Sequence, residues 1–188
     1  MIKHLVFRSS FPVAAAIASV LLGGQARADE REPQNTITVS PLPLIFNREL
    51  DLEYERAVND DVSLFAGPSF ILGTTSSCSC SYRGYGATVG ARLFTDQAPR
   101  GLFFGVFGTV AYASASVDGS SASGSGFGWE AGGMAGYTFI VAGHLDISLG
   151  LGAGYAQEQV KVTSGGSSTS VGASGVLPAL RLAVGAAF

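Results

Sequence analysis

The most constraining feature of this chain is an apolar period of two, sustained over stretches of about ten residues, the length a tilted strand needs to cross a bilayer. The clearest stretch is Leu145, Ile147, Leu149, Leu151, Ala153 and Tyr155, interleaved with Asp146, Ser148, Gly150, Gly152 and Gly154. Successive side chains of a strand point to opposite faces, so one face of this stretch is apolar and the other small or polar. Leu50, Leu52 and Tyr54 alternate in the same way with Glu49, Asp51, Glu53 and Glu55. So do Tyr85, Ala87, Val89, Ala91 and Leu93 with Gly84, Gly86, Thr88, Gly90 and Arg92. Trp129, Ala131, Gly133, Ala135, Tyr137 and Phe139 face away from Glu130, Gly132, Met134 and Gly136, and Val176 to Phe188 gives a last strand. Less regular strands near 36–46, 61–72 and 101–116 bring the count to eight, an even number as bacterial barrels require. Pro41 and Pro43 each remove a ladder donor, so a bulge or local break is expected in the first strand.

Ahead of these stretches, Lys3 and Arg8 precede an apolar run from Phe11 to Leu22 that ends in Ala26-Arg27-Ala28. This is the layout of a secretory signal peptide, whose apolar core is too short to span a bilayer as a helix. The sequence predicts a cleaved leader at 1–28 and one mature domain at 29–188. No lipobox cysteine follows the apolar run, so a lipoprotein anchor is not expected. Once the leader takes Lys3, Arg8 and Arg27, eight basic residues remain against 14 acidic ones, a net charge of −6 that gives no footing for nucleic acid. The chain is nevertheless 47% hydrophobic, without any mature segment as long as a membrane helix. Lipid tolerates only backbones that satisfy their own hydrogen bonds, which leaves helices and closed barrels. The expected fold is therefore all-β: an eight-stranded antiparallel up-and-down transmembrane β-barrel.

Connections alternate in length after a tight first hairpin at Asn47-Arg48. Short links fall near Asn59-Asp60, Thr95 to Arg100 and Ala142 to His144; long Ser- and Gly-rich ones fall near 73–83, 117–126 and 159–175. Outer-membrane barrels keep short turns periplasmic and long loops outside, so both termini are expected in the periplasm. The 26 glycines suit an eight-stranded interior that is barely wide enough for side chains. Gly84-x-Gly86 and Gly150-x-Gly152-x-Gly154 lie within strand-period runs with no helix after them, so they are not read as nucleotide loops.

Strand parity turns Glu53, Glu130, Arg92 and Arg181 inward, with Glu53 and Arg181 near mid-depth on strands flanking the first. A lumen charge network of these four is expected to pack the interior. Asp51, Glu55 and Asp146 share that parity, so acids outnumber arginines and some should reach water at the rims or bind a cation. Cys78 and Cys80 fall in an outside loop, where a local disulfide, free thiols, an intermolecular bond or metal capture are all open. His144, the one histidine beyond the leader, falls in a periplasmic turn, on the wrong side for work on outer-leaflet lipid. The sequence shows no catalytic, cofactor-binding or metal-binding residue set.

The chain ends on Phe188 with apolar residues at alternate positions before it, which resembles the C-terminal signal read by the outer-membrane assembly machinery. With the leader and eight strands, the mature chain resembles the small barrels that include the OmpA transmembrane domain, OmpX and OmpW. Asn35-Thr36-Ile37-Thr38-Val39-Ser40-Pro41-Leu42, followed by Leu52-Glu53-Tyr54-Glu55-Arg56, also resembles a family of such proteins of unknown function. The resemblance implies a monomeric outer-membrane protein whose partners are membrane lipids and the assembly machinery. The expected role is non-enzymatic, structural in the envelope or interactive at the surface. Its rivals are an enzyme acting on lipid A or phospholipid and a minor pore for small solutes.

Overall fold

The computed structural model describes residues 33–75, 80–117, 123–164 and 167–188. The expected leader at 1–28 lies outside the described residues, as do Cys78 and the side chain of Cys80, and with them the expected loop bridge.

Eight strands follow one another: β1 (Asn35–Ser40), β2 (Glu49–Ala57), β3 (Val62–Thr75), β4 (Cys80–Phe94), β5 (Gly101–Val117), β6 (Ser123–Val141), β7 (Leu145–Ser164) and β8 (Ser167–Ala187). Each pairs antiparallel with the next, and β8 returns to β1, so the sheet closes on itself. The seam runs from Thr36 opposite Ala187 to Val39 opposite Val184. Reciprocal backbone hydrogen bonds of 2.9 Å between Asn35 and Phe188 extend it to the last residue. Two glycines are sterically required where backbones crowd. A Cβ at Gly185 would stand 1.8 Å from the carbonyl oxygen of Ile37 at the seam, and one at Gly67 would stand 1.8 Å from that of Leu52.

The expected first strand at 36–46 is only half strand. After Ser40 the chain turns into a helix, α1 (Pro41–Asn47), and the tight hairpin expected at Asn47-Arg48 is this helix instead. The prolines explain the change. A helix leaves its first four N–H groups without intrahelical acceptors, so Pro41 and Pro43 give up nothing there, whereas in a ladder each deletes a hydrogen bond. Arg48 ends α1 in the left-handed region, φ 55°, with its N–H donating to the carbonyl of Pro43.

The three short links fall where alternation pauses. Asn59 Oδ1 accepts from the N–H groups of Asp61 (3.0 Å) and Val62 (2.8 Å), the side-chain turn that asparagine favours. Residues 95–100 fold back under the barrel, with Ala98 N–H donating to the carbonyl of Asp60 at 2.7 Å. Ala98 and Pro99 are buried there below Phe94 and Phe103. At the other end the expected long loops are mostly strand: β7 and β8 stay paired from Gln159 opposite Gly172 up to Ser164 opposite Ser167. Pairing needs only backbone, and Val160, Val162, Thr163, Thr169 and Val171 are good strand formers.

Burial is inverted relative to a water-soluble protein. The largest side chains wholly removed from solvent include Arg92 and Glu55, each 1% exposed, whereas Leu151 is 65% and Val106 64% exposed.

Candidate functional site

Alternation places Glu53 and Glu55 on the inner face of β2, Arg92 on β4, Ser148 on β7 and Arg181 on β8, and the closed barrel brings them into one layer. Arg92 Nη2 donates to both carboxylate oxygens of Glu53 at 3.0 Å, and Arg92 Nη1 donates to Glu55. From the other side of β1, Arg181 makes a bidentate pair with Glu53, at 2.8 and 3.0 Å. Glu53 is thus clamped between two guanidinium groups, and the Arg181 pair has the two-nitrogen, two-oxygen fork that suits carboxylate recognition best.

Neutral donors and acceptors complete the layer. Ser63 on β3 donates to Glu55. Arg181 Nε donates to Ser148 Oγ at 2.9 Å, and Thr138 Oγ1 on β6 donates to the same oxygen at 3.2 Å. The Arg92 guanidinium carbon lies 3.9 Å from the ring centroid of Phe65 and 5.3 Å from that of Phe103, so the charge is also seated between aromatic faces. Asp146 on β7 is 1% exposed, and neither of its carboxylate oxygens has a hydrogen-bond partner among the described residues.

Three of the four expected network residues, Glu53, Arg92 and Arg181, therefore meet, and Glu130 does not. Arg92 is in register with Gly105 and, through it, with Met134, while Glu130 sits four residues further along β6. That step is about 13 Å of strand, out of a guanidinium's reach. Glu130 instead lines a cavity of about 280 Å³ above the layer, with Asp51, Ser69, Thr88 and Thr109. Glu55, which parity alone placed inward without a partner, takes its position in the layer. The polar members Ser63, Thr138 and Ser148 carry no distinctive signal in a chain so rich in hydroxyls.

The other singled-out residues lie apart. His144 is exposed in the short β6–β7 turn, its N–H donating to the carbonyl of Val141 at 3.1 Å. Phe188 is 57% exposed, its main chain paired with Asn35 at the seam.

Fold and interior together define a small eight-stranded β-barrel that is apolar outside and held inside by a layer of buried ion pairs. The chain belongs to the family described as a protein of unknown function, DUF3575, whose model matches residues 45–169. The match takes in Glu53, Glu55, Arg92 and Ser148 and stops before Arg181. No curated protein matches the chain.

Proposed function

We propose that this chain is an integral outer-membrane barrel of the small OmpA-like kind. In this reading it is exported by its leader, is monomeric, has both termini in the periplasm and lacks an enzymatic role. It contributes to the envelope, or to surface contacts made by its long hairpins. The observation that carries this reading is the outer face. Leu52, Leu64, Val89, Val106, Tyr137, Leu151 and Leu180, spread over seven of the strands, are all exposed. Water-soluble monomers rarely expose contiguous apolar patches beyond a few hundred Å², and this belt surrounds the molecule.

Its height supports the same reading. Phe127 to Phe139 on β6 is about 40 Å of strand, which a tilt near 40° shortens to about 30 Å along the barrel axis, the thickness of a hydrocarbon core. Aromatic pairs stand at both limits: Tyr85 with Tyr112 and Trp129 with Tyr155 at one, Tyr137 with Phe139 at the other. Such girdles seat barrels at the two membrane surfaces. On this reading Phe188 supplies the signal for the assembly machinery.

The test is fractionation of the native protein, with gel migration compared before and after boiling. Outer-membrane protein whose migration shifts on heating is the expected result. Soluble periplasmic protein without a shift would overturn the reading.

A further inference from the structure

Above the upper aromatic girdle, the outer wall changes character within one step of the alternation. Phe70, Tyr85, Tyr112 and Phe127 lie directly opposite one another across β3 to β6 and form an exposed apolar row. Two residues further up, the row across β4 to β8 reads Arg83, Ser114, Ser125, Lys161 and Ser170. The row above that is Ser81, Ser116, Ser123, Thr163 and Ser168, so hydroxyls fill two successive rows between and beyond two exposed cations. Arg83 and Lys161 line one groove of about 510 Å³ with the hydroxyls of β4 to β7. On this wall, among the described residues of β4 to β8 above the girdle, no carboxylate has outward parity; Glu158 shares the opposite face with Val160 and Val162.

We infer that this groove binds the headgroup of a glycolipid whose sugar core carries a phosphate at each end, an inference that rests on the membrane reading above. Arg83 and Lys161 stand three strand spacings apart, about 14 Å, so one headgroup must present two separated anions to meet both. The serine hydroxyls between them, each a donor and an acceptor, match the hydroxyls of sugar rings. The aromatic row directly below offers an apolar wall to the acyl chains of the same molecule. Cation, hydroxyl and apolar tiers thus follow the order in which such a lipid presents phosphate, sugar and hydrocarbon. The chain's net charge of −3 makes two unopposed cations on this wall a local reversal of sign.

Trp129 is the single tryptophan of the chain, is exposed, and stands on β6 beside this wall, so it reports on adjacent lipid. The protein is folded into phosphatidylcholine vesicles containing a small fraction of bis-phosphorylated diglucosamine lipid with brominated chains, and quenching of Trp129 is compared with that by an equal fraction of brominated phosphatidylcholine. The expected result is preferential quenching by the phosphorylated glycolipid. Preference should fall about 25-fold in the Arg83→Gln, Lys161→Gln double variant, since each basic residue at a membrane surface contributes about fivefold toward an anionic lipid. Arg100→Gln, at the opposite rim, should leave it intact. Equal preference for the dephosphorylated glycolipid, persistence in the double variant, or loss of preference in millimolar inorganic phosphate alone would each overturn the inference. Heat-shifted migration is read on the same vesicles. A wild-type chain that shows no shift removes the membrane reading and this inference with it, whereas a shift without preferential quenching removes this inference alone.

Discussion

Arg92 sits where two carboxylates need one cation, and the cost of removing it follows from what is left behind. In Arg92→Ala, Glu53 keeps Arg181, but Glu55, the more deeply buried of the two, keeps only the hydroxyl of Ser63. A buried charge stripped of its partner costs about 3–5 kcal/mol. In Arg181→Ala, Glu53 retains both hydrogen bonds from Arg92 Nη2, so the expected loss is about 1.5–3 kcal/mol, that of hydrogen bonds to a charged group. Urea unfolding of the folded barrel in vesicles should therefore rank Arg92→Ala below Arg181→Ala and both below the parent chain. Coincident midpoints for parent and Arg181→Ala would remove the Glu53 clamp from the account. Glycine makes a second contrast. Gly185→Ala drives a Cβ into the Ile37 carbonyl at the seam, while Gly175→Ala on the same strand meets nothing within 4 Å. The first should abolish the heat-shifted band and the second should leave it unchanged; equal behaviour would show that the seam relaxes freely. Parity turned Glu53, Glu55, Glu130, Arg92 and Arg181 inward because alternation is local. Which of them share a level depends on inter-strand register, and that separates Glu130 from Arg92.

At the scale of the element, regular strands were legible and irregular ends were not. β4, β6 and β7 announce themselves because outward-facing and lumen-facing residues differ sharply in their middles. Above the girdle the two faces no longer differ in that sense: outward positions on β7 become Gln157, Gln159 and Lys161, while Val160 and Val162 take inward parity. An alternation rule tuned to apolar-out segments reads such stretches as loop, although their backbones pair without interruption. Pro41 and Pro43 were legible as a break in β1, but nothing in a period-two pattern signals the seven-residue helix that follows. The β7–β8 extension also makes a prediction. Residues 167–174 are exposed on both faces of the strand, so this hairpin buries little. Replacing Gln159–Gly172 by a two-residue turn should keep the heat-shifted band and change the unfolding free energy by no more than about 0.5 kcal/mol, the range of substitutions at undemanding surfaces. A barrel that fails to fold after this deletion would make the hairpin part of the stabilising structure.

At the scale of the whole molecule, the interior has two closures in series. The first is the charged layer, in which Arg92, Glu53 and Arg181 reach from β4 through β2 to β8, and Ser148 and Thr138 carry the bonding on to β7 and β6. Phe103, wholly buried on β5, fills the remaining sector. The second closure is the 95–100 turn, whose Ala98 and Pro99 pack beneath Phe94 at the short-turn end. Above the layer space opens, in the cavity lined by Asp51 and Glu130. An ion entering from the long-hairpin end would meet carboxylates first and then a set of buried ion pairs whose opening would strand charge. Eight-stranded barrels fill their interiors with side chains in general, and here the filling is doubled at the base. The parent protein in planar bilayers should therefore give no conductance steps above background. Arg92→Ala should stay silent too, because it opens the first closure and leaves Phe103 and the base turn in place. Regular steps from the parent chain would restore the solute-pore reading. Steps from Arg92→Ala alone would show instead that the base turn does not seal and that the charged layer is the barrier to permeation.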